Sequence, residues 1–142
     1  MGSTAGYSAT PLVQKLGLKA GMRVRLLAPP ERYWTLLGGE PASMELELLP
    51  DRSTQKADFT HAFATDAAAL EKAFASARAR MQEDGMVWAS WPKKSSGIPS
   101  EITRSEVMAA GKQAGLVDVK VCAVDDDWSG LKFVIPVADR TA

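Results

Sequence analysis

The sequence is poor in the residues from which disulfides and metal sites are built. Its 142 residues include one cysteine, Cys122, and one histidine, His61. A single cysteine excludes an internal disulfide and a cysteine-cluster metal site. A lone histidine with no second ligand type nearby does not make a zinc site. We therefore predict no metal and no other bound cofactor.

An excess of charge of one sign is also missing. Lysine plus arginine and aspartate plus glutamate number 17 each, so the formal net charge is zero. A nucleic-acid-binding protein normally carries a basic excess that offsets the phosphate charge, so we predict no nucleic-acid partner. No run of about 18 apolar residues is present, and no signal-peptide pattern opens the chain. These absences predict a cytoplasmic protein with no membrane association.

The length leaves room for one core of ordinary size, because the chain has 142 residues. Residues 1–9 are small and polar, and we predict that they form a flexible segment. Residues 10–142 are then expected to form a single α/β domain.

The most informative feature that is present is an apolar run that leads into a polar loop. Residues 85–91, Gly-Met-Val-Trp-Ala-Ser-Trp, are mostly apolar without polar alternation, which is typical of a strand buried on both faces of a parallel sheet. The loop after this strand holds Lys93, Lys94, Ser95, Ser96 and Gly97. Open α/β sheets place their ligand sites at the carboxyl ends of strands, so the loop is a candidate site.

The composition of this loop suits an anion. Two ammonium groups and two hydroxyls favour a phosphate or a carboxylate, because charge-assisted hydrogen bonds are stronger than neutral ones. The Gly-Lys-Ser/Thr ending of a P-loop is absent, and the alternative is a solvated loop with a glycine turn. Trp91 either walls this site or belongs to the core, as we expect for Trp88 on the other face of the strand. The candidate ligand-binding residues are Lys93, Lys94, Ser95, Ser96 and Trp91.

The clearest local signals lie in the last third of the chain. A capping box of Thr103 with Glu106, inside a hydrophobic staple of Ile102 with Val107, predicts a helix over about 104–114. Two apolar segments follow, at 116–124 and 131–137. Because their connection is so short, these segments can pair only as antiparallel strands.

The rest of the chain alternates between strand and helix patterns. Helices are predicted at 11–16, 30–37 and from about 66 to Gly85, and strands at 22–28, 44–49 and 59–65. Leu70, Phe74, Ala77 and Met81 mark one face of the long helix. This order predicts a three-layer α/β sandwich with a mostly parallel sheet of five or six strands and a C-terminal antiparallel hairpin.

This order of elements resembles the fold of S-adenosylmethionine-dependent methyltransferases, a Rossmann-like sheet whose last strands form an antiparallel hairpin. Residues 18–24, 58–59 and 84–88 resemble the approaches to that family's first, fourth and fifth strands. The helix and strand that the family places between its second strand and Asp58 are missing here. The resemblance therefore implies a reduced methyltransferase fold.

The resemblance also implies a cofactor loop, from which this sequence departs. Methyltransferases follow the first strand with glycines that let the backbone approach the cofactor closely. That place holds Ala28-Pro29-Pro30-Glu31-Arg32, where two prolines remove two backbone donors. Asp51 stands either for the family's ribose-binding acid or for an ordinary turn residue. We predict that the fold is retained and that S-adenosylmethionine is not bound.

Two longer phrases resemble a second family, small bacterial proteins that are classed only as a domain of unknown function. The phrases are Ser-Trp-Pro-Lys-Lys-Ser-Ser-Gly at 90–97 and Val-Cys-Ala-Val-Asp at 121–125. This resemblance implies a bacterial, cytoplasmic protein, and it implies no particular activity.

Other candidate residues have plain structural interpretations. His61 shares a strand face with Phe59 and Phe63, which predicts a core position, and catalysis would need Asp58 or Ser90 brought close to it.

Near the carboxyl terminus, Cys122 fits a small buried hydrophobe. The acidic residues 125–127 fit a solvated turn better than a calcium-binding loop. Trp128, beside that turn, either folds back to cover the core or is exposed for contact with a partner.

Together these patterns favour a non-enzymatic Rossmann-like module. It would bind an anionic small molecule or a protein partner at the carboxyl edge of its sheet. The alternative is a divergent S-adenosylmethionine-dependent methyltransferase-like enzyme. We rank the enzyme second because no nucleophile, base and orienting acid can be assembled from sequence spacing alone.

Overall fold

The computed structural model describes residues 11–141, so the predicted flexible segment at 1–9 lies outside the described residues. The α-helices, α1 to α4, are Leu12–Leu16, Tyr33–Leu37, Ala67–Ala79 and Arg104–Gln113. The strands, β1 to β6, are Arg23–Leu27, Glu47–Leu48, Ala57–Phe63, Met81–Pro92, Val117–Ala123 and Trp128–Val134. None of the helices in this part of the chain is long and apolar enough to cross a lipid bilayer.

All these strands belong to one sheet, in the order β2-β1-β3-β4-β6-β5. β1 is parallel to β2 and β3, and β3 is parallel to β4. β6 is antiparallel to both β4 and β5. The predicted mostly parallel sheet with a C-terminal antiparallel hairpin is confirmed. Since β2 and β3 lie on opposite sides of β1, the crevice at which such sheets bind ligands lies between the carboxyl ends of β1 and β3.

Helices cover both faces of the sheet and bury two apolar clusters. On the α3/α4 face, where those two helices pack, Phe74, Trp91 and Phe133 are buried. On the opposite α1/α2 face, Leu16 and Trp88 are buried. The two tryptophans of β4 thus lie on opposite faces, as the period of two predicts.

Four helix ends have the predicted caps, whereas α2 begins at Tyr33 and not at the predicted Pro30. α1 ends at Gly17 and α2 at Gly38, both left-handed with φ of 87°. The Asp66 carboxylate accepts a hydrogen bond from the Ala69 N–H at 2.8 Å and starts α3. α4 begins with the predicted capping box at Thr103.

The predicted end of α3 is wrong. The helix stops at Ala79, and β4 already begins at Met81, whose side chain is buried in the apolar cluster on the α3/α4 face. The pairing with β3 shifts between Met81 and Met86, so the intervening residues form an irregular bulge. A Cβ at Gly85 would lie 3.0 Å from the Asp58 carbonyl oxygen, so this backbone approach requires glycine.

The second strand is also shorter than predicted. β2 covers only two residues, and Ala42–Met44 forms a 3-10 turn. Glu45 follows that turn with φ of 57°, which breaks the extended conformation before β2. The alternation of Met, Leu and Glu therefore overstated the length of a short edge strand.

Candidate functional site

The predicted anion-binding loop lies at the carboxyl edge of the sheet, directly after β4. The Lys93 N–H donates a hydrogen bond to the Asp127 carbonyl oxygen at 2.8 Å, which fixes the loop beside the β5–β6 turn. A 3-10 turn over Lys94–Ser96 follows and ends at Gly97, with φ of 79°. The loop has the expected position in the fold, and its ligand binding stays a prediction.

The side chains of this loop differ in exposure. Lys94 and Ser95 are exposed, whereas Lys93 and Ser96 are half-buried. Within residues 11–141 every ion pair involves an arginine, so neither lysine has an acidic partner there. The Ser96 hydroxyl oxygen accepts a hydrogen bond from the Ile98 N–H at 3.0 Å, which stabilises the turn. The two ammonium groups and the Ser95 hydroxyl remain available to a ligand.

Trp91 does not belong with these groups. It is only 7% exposed and packs in the apolar cluster between β4 and α3/α4. A side chain that the core covers presents no open surface to a ligand, so the core interpretation holds and we drop Trp91 from the candidate site.

An ion pair joins the segment after β1 to the β5–β6 turn. Arg32 Nη2 lies 3.0 Å from Asp125 Oδ2 and 3.5 Å from Asp127 Oδ2. Asp125 Oδ1 also accepts hydrogen bonds from the N–H groups of Asp127 and Trp128, both at 2.8 Å. Because β3 and β4 lie between the two joined segments, this Arg32 bridge spans the carboxyl ends of those strands.

Trp128 lies under the same edge of the sheet. Its ring meets Phe63 edge to face, with ring centroids 5.0 Å apart. Trp128 therefore folds back onto the core, which was one of its two predicted roles.

Beneath this edge lies a buried chain of hydrogen bonds. The Tyr33 hydroxyl lies 2.9 Å from His61 Nδ1, and Ser90 Oγ lies 2.7 Å from His61 Nε2. Phe63 stacks on the imidazole with ring centroids 4.4 Å apart. Ser90 is thus brought to His61, as catalysis would need, whereas the Asp58 carboxylate accepts from the Arg23 N–H instead. No sequence signal pointed to Tyr33, which comes from α2.

Burial keeps the side chains of this hydrogen-bonded chain uncharged. Burial lowers the pKa of His61 to about 3 and raises the pKa of the Tyr33 hydroxyl. A neutral imidazole has one donor and one acceptor nitrogen, so it can satisfy both hydroxyl neighbours at once. Tyr33, His61 and Ser90 are all almost fully buried, so the chain stabilises the core and no substrate can reach the Ser90 hydroxyl in this conformation.

A surface pocket of about 560 Å³ opens at the carboxyl ends of β1 and β2. Its walls include Leu26, Pro29, Trp34, Leu49 and Asp51. The indole and the carboxylate would suit a purine ring and ribose hydroxyls, respectively.

The loop beside this pocket fits the methyltransferase cofactor poorly. Ala28 takes a left-handed backbone conformation, with φ of 53°, which glycine adopts more readily than alanine. Pro29 and Pro30 follow it and offer no N–H to a ligand. The pocket residues therefore fit the nucleoside part of S-adenosylmethionine. The two prolines beside the pocket offer no N–H groups to the remainder of that cofactor.

Side chains that could ligate a metal ion do not cluster in the part of the chain that the structure describes. No three His, Cys, Asp or Glu side chains among residues 11–141 come together in a way that could hold a metal ion.

Comparison with solved structures defines the class of fold. A TehB-like SAM-dependent methyltransferase from Corynebacterium glutamicum matches with a TM-score of 0.55 and 10% identity, over 93% of this chain and 91% of that one. A SAM-dependent methyltransferase from Aquifex aeolicus gives 0.58 and 14%, over 87% and 88%. Fibrillarin from Aeropyrum pernix, in complex with natively bound S-adenosyl-L-methionine, gives 0.54 and 15%, over 87% and 73%. The chain has a methyltransferase-like, Rossmann-like fold.

Comparison with protein families is more specific. The model of the family described as a protein of unknown function, DUF3052, matches residues 45–137. That range is more than half of the 142-residue chain, and the protein belongs to this family. No curated protein has significant sequence similarity to the chain.

Proposed function

We propose that the protein is a non-catalytic module that binds an anionic small molecule at the carboxyl edge of its sheet. The observation that carries the proposal is the pair Lys93 and Lys94. They follow the central strand β4 at the carboxyl edge of the sheet, one strand from the crevice between β1 and β3, and they have no acidic partner among residues 11–141. Each charge-assisted hydrogen bond to an anion would contribute about 1.5–3 kcal/mol.

The burial of His61 supports a binding role over catalysis. The only histidine of the sequence is fully buried between two hydroxyls, away from solvent. A general base must reach the proton that it abstracts from a bound substrate, and His61 has no exposed surface from which to do so. The Arg32 bridge further ties the segment after β1 to the β5–β6 turn, above the ends of β3 and β4.

A thermal-shift screen tests this proposal. It covers nucleotides, phosphorylated metabolites and carboxylates, and compares the native protein with a Lys93→Ala, Lys94→Ala double variant. A Lys72→Ala, Lys112→Ala variant is the matched control, because these exposed lysines lie on α3 and α4. We expect a ligand that raises the Tm of the native and control proteins and has little effect on the loop variant.

Other outcomes of the screen are equally informative. A ligand that stabilises all three proteins to the same extent would rule out the lysine loop as its site. A screen without any stabilising ligand would contradict the small-molecule form of the proposal and favour a protein partner at the same edge.

A divergent methyltransferase-like enzyme is the second candidate function. The pocket at the ends of β1 and β2 favours it, because Trp34 and Asp51 could bind the nucleoside part of the cofactor. Asp51→Ala and Trp34→Ala would then each weaken binding of S-adenosylmethionine or its demethylated product, as measured by calorimetry. The same substitutions would leave an anion at Lys93 and Lys94 bound, so the two candidates can be separated.

A further inference from the structure

The β5–β6 hairpin carries a concentration of positive charge on the α1/α2 face. Lys120 in β5 and Lys132 in β6 are directly opposite each other in the antiparallel register. Side chains at such positions have Cβ atoms about 4.5–5.5 Å apart, and like charges there are destabilising. This pairing therefore opposes folding unless an anion compensates it.

Two more lysines approach from α1 and the turn after it. The Lys120 ammonium donates a hydrogen bond to the Lys15 carbonyl oxygen at 3.4 Å, which places β5 next to α1. Burial, followed by the nearby charges of Lys120 and Lys19, lowers the pKa of the half-buried Lys132. Lys15 and Lys120 likewise act on the Cys122 thiol, although burial dominates and raises its pKa. Lys120 and Lys132 therefore face each other next to Lys15 of α1, and Lys19 is near enough for its charge to act on Lys132.

No acidic side chain offsets these charges by an ion pair in the described residues. Between residues 11 and 141, arginines alone supply the cations of the ion pairs. Residues 1–10 contain no aspartate or glutamate, so that segment cannot supply a side-chain carboxylate either. The repulsion among the four lysines is thus left for a ligand to relieve.

We propose that this lysine face, formed by Lys15, Lys19, Lys120 and Lys132, binds a compact anion that carries two or more phosphate groups. Lysine ammonium groups bind phosphate as point charges, and several of them on one face of the hairpin match a small ligand of high charge. The site goes beyond the proposed function, because Lys132 lies four residues along β6 from Trp128 at the sheet edge. At about 3.3 Å per residue this separation is roughly 13 Å, so one small anion cannot contact both sites.

Isothermal titration calorimetry on the full chain tests the site, with inorganic pyrophosphate and tripolyphosphate as probes and sodium chloride added to hold ionic strength constant. A Lys120→Gln, Lys132→Met variant removes the opposed pair and keeps the stems of the side chains. We expect at least a tenfold increase in Kd for this variant. The Lys93→Ala, Lys94→Ala variant should bind both probes as the native protein does, which separates this site from the one at the sheet edge.

Cys122 provides an independent measurement. It is the only cysteine in the sequence, and alkylation by neutral iodoacetamide reports on its thiolate without competing for the lysines. A bound polyphosphate should slow that reaction by several-fold in the native protein, by screening Lys15 and Lys120, and leave the rate unchanged in the double variant.

Three results would overturn the proposal. One is the absence of saturable pyrophosphate and tripolyphosphate binding, and another is equal affinity of the native and Lys120→Gln, Lys132→Met proteins. The third is equal binding of an aspartate oligopeptide of the same charge, because it would show non-specific attraction and no phosphate site. Thermal unfolding of the unliganded variant checks its fold, and relief of the repulsion predicts a Tm no lower than that of the native protein.

Discussion

The parallel half of the sheet and its antiparallel hairpin use their side chains differently. β3 is buried along nearly its whole length, with Phe59 and His61 fully covered between helices. β5, at one edge of the sheet, leaves Val117, Val119 and Val121 more than one-third exposed. The buried half contains the hydrogen-bonded chain of Tyr33, His61 and Ser90, whereas the hairpin carries lysines with no acidic partner among residues 11–141. Side chains of β3 should therefore contribute more to stability than those of the exposed strand β5.

The largest loss of stability is expected for a substitution at the contact between α4 and β6. A Cβ at Gly111 in α4 would lie 2.2 Å from Phe133 in β6, so Gly111→Val forces helix and hairpin apart. Overpacking of this kind costs about 3 kcal/mol. Urea unfolding should show this loss. Lys112→Val on the exposed side of α4 is the control, with a cost of about 0.5 kcal/mol, and an equally small effect of Gly111→Val would contradict tight packing at this contact.

The buried histidine should make the parallel half sensitive to acid. The pKa of His61 is about 3 in the folded protein and 6.5 for the ordinary side chain, so the unfolded state binds more protons between these values. Stability is therefore present above pH 6.5 and is lost as the pH falls towards 3, by about 2 kcal/mol between pH 7.5 and pH 5.0. Urea unfolding at several pH values should show this slope, and His61→Gln should flatten it. A native slope near zero in this window would contradict a buried neutral imidazole.

One substitution made in both regions sharpens the comparison. Val87 in β4 is 1% exposed and Val119 in β5 is 53% exposed. Val87→Thr buries a hydroxyl without a partner and should cost at least about 1 kcal/mol. Val119→Thr should change stability by less than about 0.5 kcal/mol. Chemical denaturation of both variants measures the difference, and similar costs would mean that β5 is covered in solution.

The smallest effect is expected at the loop after β1. Ala28 has a φ of 53°, and this left-handed conformation costs an L-residue about 1–2 kcal/mol. Glycine removes that steric cost but loses more backbone entropy on folding, so only part of the cost is recovered. Ala28→Gly should stabilise the protein by about 0.5–1 kcal/mol in thermal or urea unfolding. Ala20→Gly, at an exposed turn position with negative φ, should give no gain. A loss of stability on Ala28→Gly would argue against the left-handed conformation.

The parts of this fold that were predictable from sequence are encoded locally. The caps of α3 and α4 and the closing hairpin each depend on residues a few positions apart, and all were confirmed. The start of β4 was missed because Met81 falls at helical spacing after Ala77 and is buried in the same apolar cluster, although it belongs to the strand. A period of apolar residues does not show whether the last residue of the series lies in the helix or in the next strand.

The candidate sites depend on contacts that spacing does not reveal. Tyr33 and Ser90 reach His61 from positions 28 and 29 residues away, on different elements. The lysine face similarly depends on the register of β5 against β6 and on the approach of α1. Only the loop at Lys93 and Lys94 was predictable, because it follows directly from the end of a strand.

The central claim is that a methyltransferase-like fold here lacks the cofactor cradle and serves to bind an anion at its edge. Calorimetric titration of the full chain with S-adenosylmethionine, and with its demethylated product, tests this claim most directly. We predict no saturable binding of either compound, because Pro29 and Pro30 offer no backbone donors. Micromolar binding of either compound, lost in Asp51→Ala, would contradict the claim and establish the methyltransferase-like alternative.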